Sequence, residues 1–207
     1  MNDIPGLEQV KSYFGKRIEK YGASPRGVDW NSDESQNTRF DQLLKIVETP
    51  SFSILDYGCG YGALADYMER KGLHAGYYGF DILESAIDVA RRTHAGQPDR
   101  TFLTDQESLP VCDYVVASGV FNVRGGQAFE TWTKYVVDSL KRFNDLSRKG
   151  FASNFLTKYS DADKMRSDLY YADPLYLFDY CKRNFSRNVA LLHDYRIYDF
   201  TILIRKD

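Results

Sequence analysis

The sequence predicts an α/β protein: a doubly wound, mostly parallel sheet closed by a C-terminal antiparallel hairpin. Three observations lead there. From residue 53 onward, short apolar runs alternate with amphipathic stretches, the pattern of repeated strand–helix units. The first run ends in Asp56-Tyr-Gly-Cys-Gly-Tyr-Gly62, a glycine turn between a strand and a helix. The last two runs, 189–192 and 200–204, are joined by 193–199, a connector too short for a crossover helix, so they must pair antiparallel.

Residues 7–21 carry a helical pattern, and a loop from Gly22 to Trp30 follows. A second helix opens with Asp33 and Gln36 at capping-box spacing. It places Phe40, Leu43, Leu44 and Val47 on one face and is closed by Pro50. Residues 53–56 read as a buried strand and 63–71 as a helix ended by Gly72. A second strand covers 76–81, and a helix over 84–92 turns Ala86, Ile87 and Ala90 inward. Strands three and four fall at 101–103 and 114–117. The longest helix, 127–148, carries Phe129, Trp132, Val136, Leu140, Phe143 and Leu146 on one stripe. After a fifth strand at 150–155, Asp173-Pro174 supplies a cap and a first-turn proline. The apolar side of that helix reads Leu175, Phe178, Cys181 and Phe185. No repeat or linker divides 1–207, so one domain is expected, with 1–50 differing in texture from 51–207.

Composition narrows the function classes. The 207 residues hold 27 Lys plus Arg against 29 Asp plus Glu, a formal net charge of −2, which gives no whole-chain attraction to nucleic acid or anionic lipid. DNA is not expected as a partner, and the basic pairs Lys141-Arg142, Arg148-Lys149 and Lys182-Arg183 read as helix-end charges rather than an RNA surface. No apolar run approaches the roughly 20 residues of a membrane helix. The opening Met1-Asn-Asp-Ile-Pro5 lacks the basic-then-apolar pattern of a secretory signal. Cys59, Cys112 and Cys181 lack metal-type spacing and fit a reducing cytoplasm, and no metal is expected. Sixteen tyrosines exceed what a core requires.

The glycine turn offers a tight bend, close backbone approach and the free N–H groups of a helix start. Gly58, Gly60 and Ala63 satisfy the dinucleotide pattern G-x-G-x-x-G/A, which motivates a nicotinamide-dependent oxidoreductase as one alternative. Asp56 stands against it: a carboxylate there repels a pyrophosphate and attracts an ammonium or sulfonium. Asp81 ends the second strand, where a carboxylate accepts from both hydroxyls of a ribose. Asp105 follows the third strand, within reach of an adenine amino group.

Four segments together resemble the class I S-adenosylmethionine-dependent methyltransferases, a Rossmann-like fold. They are Asp56-Tyr-Gly-Cys-Gly-Tyr-Gly62, Gly79-Phe-Asp81, Asp105 with Leu109-Pro110, and Asp113-Tyr-Val-Val-Ala-Ser118. The resemblance implies S-adenosyl-L-methionine as cofactor. It places Asp56, Gly58, Cys59 and Gly60 around the methionine part, Asp81 on the ribose and Ile82 against the adenine. Asp105 and Gln106 fall near the adenine amino group, and Ser118 and Gly119 on the sulfonium side. The loop Ser118-Gly-Val-Phe-Asn-Val-Arg124 is not the Asn-Pro-Pro-Tyr type of base- and glutamine-methylating members. The resemblance further implies that 1–50 forms a helical lid and substrate-binding segment over the cofactor-binding core, 51–207. Tyr13, Tyr21, Trp30 and Arg39 are available there, with Arg39 either paired to the cofactor carboxylate or exposed on its helix.

The expected activity is methyl transfer to a small molecule, at oxygen, by a monomer or homodimer. The second alternative is an RNA or protein methyltransferase, or a non-catalytic partner subunit of the same fold. His193 leads as general base because an imidazole titrates near neutrality, with Asp194 beside it and Asn122 as a further catalytic candidate. Trp30, Arg124, Tyr159, Tyr171 and Tyr195 are candidates for the acceptor. His74 and His94 read as solvent residues. Tyr57, Tyr61, Tyr13, Tyr21, Tyr159, Tyr170, Tyr171, Tyr195 and Tyr198 fall in loops or the lid, which predicts a small pocket walled by phenols.

Overall fold

The computed structural model describes residues 6–207 of the chain; residues 1–5, read above for the lack of a signal sequence, lie outside the described residues. In chain order come α1 (Leu7–Tyr21), a 3-10 turn (Pro25–Val28), α2 (Asp33–Leu44), β1 (Phe52–Tyr57), α3 (Ala63–Arg70), β2 (Ala75–Phe80), α4 (Glu84–Thr93) and β3 (Arg100–Leu103). Then follow β4 (Cys112–Ala117), α5 (Phe129–Leu146), β5 (Ser147–Thr157), β6 (Tyr171–Ala172), α6 (Pro174–Asn184), β7 (Asn188–Leu192) and β8 (Asp199–Arg205). The sheet runs β3-β2-β1-β4-β5-β8-β7, with β6 added at one end of β5. The first five strands are parallel, and β8 lies antiparallel between β5 and β7. This is the doubly wound sheet with a C-terminal hairpin that the sequence predicts.

Strand alternation sends side chains to two cores. Leu55, Tyr57, Val115 and Ala117 face α5 and α6, meeting Trp132, Val136, Phe143 and Leu177. Ile54, Tyr77, Tyr114 and Val116 face α2, α3 and α4, meeting Leu43, Leu64, Met68 and Ile87. Helices therefore cover both faces, as parallel strands require. Among the described residues no helix is long and apolar enough to cross a membrane.

Local chemistry shifts several boundaries. The cap of α2 is Ser32, whose hydroxyl accepts from Ser35 N at 3.1 Å, so Asp33 and Gln36 form no capping box. That helix stops at Leu44, well short of Pro50, yet Ile46 beyond it is fully buried. The longest helix also stops earlier, at Leu146, and runs straight into an eleven-residue β5. On α6 the buried positions are Pro174, Leu177 and Cys181, and Phe185 packs against the core, while Leu175, read from the sequence as part of the apolar side, is 60% exposed.

Candidate active site

The strand order reverses between β1 and β4, and a crevice opens there at the carboxyl ends of the strands. It encloses about 900 Å³, open mouth included. One wall is the core: Asp56, Gly58, Cys59 and Gly60 after β1, Asp81 to Leu83 after β2, and Ser118 to Val120 with Asn122 after β4. The opposite wall comes from before β1: Val10, Phe14 and Ile18 of α1, Val28 to Trp30, and Gln36 and Phe40 of α2.

The glycine loop is held from behind. Gly58 N and Cys59 N donate to Phe80 O at 2.7 and 2.9 Å, which turns the chain away from the strand. Gly58 and Gly119 adopt φ of +83° and +70°. A Cβ on Gly58 would lie 2.4 Å from Val120 Cγ2, and one on Gly119 would lie 2.4 Å from Trp30 Cζ2. Glycine is thus needed at both positions for conformation and for the close approach of the two walls. Asp81 joins the loop to the next strand: Oδ2 accepts from Gly60 N and Oδ1 from Leu83 N, each at 2.9 Å.

Two carboxylates shape the electrostatics. Asp56 is buried and accepts a 2.6 Å bond from Tyr77 Oη. Burial pushes its carboxyl up to about 7, the Tyr77 bond opposes this, and the charge of Asp81 adds to it. Burial also raises Asp81, against the N–H groups of Leu83, Gly60 and Ile82 that stabilise its anion. The Cys59 thiol is pushed well above its ordinary value by burial, so it is no thiolate nucleophile at neutral pH. This donor set fits S-adenosylmethionine. Asp56 is a counter-charge for an ammonium, Asp81 keeps lone pairs free for two vicinal hydroxyls, and Ile82 offers an apolar face.

The cavity gathers ten of the residues singled out from the sequence: Trp30, Asp56, Gly58, Cys59, Gly60, Asp81, Ile82, Ser118, Gly119 and Asn122. The others lie outside its lining. Asp105 is exposed and caps a one-turn helix through Glu107 N at 2.9 Å. Gln106 donates to Tyr57 Oη at 2.8 Å. Arg124 spends its guanidinium on the carbonyls of Leu169, Gln127 and Ser167. Tyr171 Oη accepts from Arg166 N, and Tyr195 Oη is bonded to Thr201 Oγ1. His193 and Asp194 are exposed, and the imidazole packs against Tyr159 and Phe200 at the far edge of the sheet. The physical reason is the strand order: β5 and β8 stand between β4 and the end of β7.

Other expectations are also corrected. Among the described residues no tyrosine lines the cavity, and its aromatic faces are Phe14, Trp30 and Phe40. The tyrosines stand one layer behind, where Tyr13 Oη donates to Asp29 Oδ2 at 2.6 Å, Tyr61 Oη to Gln36 Oε1 at 3.3 Å, and Tyr77 Oη to Asp56. Arg39 is neither exposed nor in the cavity. Its Nε and Nη2 bind Asp199 at 2.9 and 2.6 Å, and its guanidinium lies 4.0 Å from the centroid of Trp30. His94 is buried, stacked on Phe102 behind Gly62.

Sequence reasoning missed Phe14, Val28, Gln36 and Phe40 as lining residues, and Asn154, whose Oδ1 holds Gly119 N at 2.7 Å. Val10, Phe14 and Ile18 recur every four residues along α1, a stripe that marks a covered face but not what it covers.

Comparison with known proteins bears on this geometry. A methyltransferase-domain family model matches residues 54–142, from β1 into α5. A putative methyltransferase of Mycobacterium tuberculosis is 48% identical over 164 residues, 79% of this chain and 99% of its own length. Among solved structures, Burkholderia thailandensis 1,6-didemethyltoxoflavin-N1-methyltransferase, with its substrate and S-adenosylhomocysteine bound, superposes with a TM-score of 0.65 at 17% identity. That match covers 96% of this chain and 88% of the other. The N-methyltransferase NodS of Bradyrhizobium japonicum, in complex with S-adenosylhomocysteine, gives 0.64 at 13% identity over 96% and 98%. These two likenesses speak to the fold. A dinucleotide-dependent oxidoreductase is set aside by the family match and by Asp56 in the cavity wall. With 48% identity to that relative over 79% of the chain and the glycine loop inside the matched domain, the chain belongs to the class I S-adenosylmethionine-dependent methyltransferases.

Proposed function

We propose that this enzyme transfers a methyl group from S-adenosylmethionine to a small molecule held between its two cavity walls. One observation carries the reading. The crevice at Asp56, Gly58, Gly60 and Asp81 continues without a break to Phe14, Trp30 and Phe40 of the segment before β1. The core wall would take the cofactor, and residues 1–50 would act as the lid that selects the acceptor and excludes water. When bound, S-adenosylmethionine supplies an activated methyl, so the protein's task is alignment of the two partners. The walls meet at Trp30 and Gly119, too close for a polymer to pass between them there. The bound 1,6-didemethyltoxoflavin of the Burkholderia neighbour is likewise a small molecule. A cytoplasmic setting is in keeping with three buried cysteines that form no disulfide.

His193, the candidate base for a hydroxyl acceptor, lies outside the lining. The reading therefore keeps the small acceptor and dispenses with that histidine.

Titration calorimetry with S-adenosylhomocysteine tests it. Micromolar binding is expected, with no heat from NAD or NADP. Asp81→Ala should weaken binding tenfold or more, about 1.4 kcal/mol, since it removes the diol contact and frees Gly60 N. Unchanged affinity in that variant would remove Asp81 from the cofactor site.

A further inference from the structure

The chemistry of the lining narrows the acceptor itself, taking the proposed methyl transfer as its premise. Among the described residues the cavity wall contains no Lys, Arg or His side chain, and it contains three carboxylates, Asp29, Asp56 and Asp81. Cations close to it are already engaged. Arg17 Nη2 pairs with Asp29 at 2.8 Å, and Arg39 is committed to Asp199. An anionic acceptor would meet no basic side chain in that wall to offset the cost of leaving water.

The same wall holds two buried polar atoms without a partner, Ser118 Oγ and Asn122 Oδ1. Both sit on the loop after β4, beside Gly119 and under Trp30. Buried polar atoms are normally paired, so these two call for a group that enters the cavity. The amide oxygen of Asn122 only accepts, and the Ser118 hydroxyl can accept as well as donate, so a group that serves both presents a donor. Around them Phe14, Trp30, Phe40 and Val120 offer apolar and aromatic faces of ring size.

We propose that the acceptor is an uncharged or amine-bearing ring compound that presents its N–H or O–H nucleophile to Asn122 Oδ1 and Ser118 Oγ, and that carboxylate and phosphate acceptors are rejected. Asn122 and Ser118 then act by aiming the nucleophile's lone pair. In the transfer that lone pair forms the new bond to the methyl carbon, the methyl–sulfur bond breaks with its pair left on sulfur, and the nucleophile's proton passes to water at the open mouth.

The test uses the whole protein saturated with S-adenosylhomocysteine and the probes benzyl alcohol, benzylamine, benzoate and toluene. Emission of Trp30 reports binding, with Trp132, 1% exposed in the core, as a constant background. Benzyl alcohol and benzylamine should bind at least tenfold tighter than benzoate. Asn122→Leu should bring benzyl alcohol down to the affinity of toluene. Asn122→Asp, close in shape, should keep benzylamine and weaken benzoate further, and melting curves confirm that both variants fold. Benzoate binding as tightly as the alcohol, no binding by any probe, or an alcohol preference that survives Asn122→Leu would each overturn the proposal. Failure of S-adenosylhomocysteine to bind would instead overturn the methyltransferase site on which it rests. Methyl transfer to the alcohol or to the amine, followed by mass spectrometry, then separates oxygen from nitrogen.

Discussion

Burial pushes the Asp56 carboxyl up to about 7, so a good part of it is protonated at neutral pH before a cation binds beside it. Its folded value lies above its value in the unfolded chain. The stability it contributes is therefore complete below about pH 4 and is lost as pH rises through 7. Asp56→Asn removes that titration, so its melting temperature should gain on the native protein from pH 5 to about pH 7 and level off above it. A difference that stays flat across that range would show that Asp56 does not titrate there. An ammonium beside Asp56 favours the anion, so ligand binding should also release a proton near pH 7. Calorimetry in buffers of differing ionisation heat measures it. At the other edge of the sheet, His193 packs against the rings of Tyr159 and Phe200 and lies outside the cavity lining. His193→Ala should leave turnover with any accepted substrate within about twofold, where loss of a general base would cost roughly 10²–10⁴.

Between elements, the firmest polar join is Arg39 of α2 with Asp199 at the start of β8, their side chains 7% and 0% exposed. Burial raises the Asp199 carboxyl, and the Arg39 charge and hydrogen bonds pull it back. Removing one partner strands the other in the interior. Arg39→Ala or Asp199→Ala should each cost about 3–5 kcal/mol, and the paired change Arg39→Met with Asp199→Leu should cost clearly less than either. Urea denaturation of the three variants checks this. The pair also shows where the sequence stops being legible. The glycine turn, Asp81 and the hairpin can be read because each rests on local chemistry: a bend, a strand end, a connector of fixed length. Arg39 and Asp199 are 160 positions apart, and no spacing rule links them. His193 was misplaced for a related reason. Its position at a strand's carboxyl end was legible, but the insertion of β8 between β5 and β7, which moves that end away from the crevice, was not. In the same way, α1 shows a stripe without naming the surface it covers.

For the molecule as a whole, a ligand seated between core and N-terminal segment should tie the two together. S-adenosylhomocysteine at a hundredfold its Kd contributes about 2.7 kcal/mol, a rise of roughly 5–10 °C in Tm for a chain of this size. With an acceptor probe added, slowed amide exchange should appear in 10–30 as well as 58–60. Protection confined to 58–60 would mean that the N-terminal segment takes no part in binding. The charge pattern acts at this scale too. A near-neutral chain whose cavity wall holds no basic side chain among the described residues gives no long-range steering of anions, so association with an uncharged acceptor should depend little on salt.

The tyrosines behind the lining bear on how such an enzyme changes its substrate over evolution. Each of Asp29, Gln36 and Asp56 reaches the cavity while holding a phenol from the layer beneath. At Asp56 and Gln36, swapping the lining side chain for an apolar one leaves a hydroxyl stranded in the half-dry interior, and swapping the tyrosine strands the lining group, whereas Asp29 keeps its pair with Arg17. A lineage altering the polar character of this cavity would therefore move through coupled, two-position steps. The apolar lining at Phe14, Val28 and Phe40, which carries no such obligation, would be free to drift one residue at a time. Substrate size should thus diversify among relatives faster than substrate polarity.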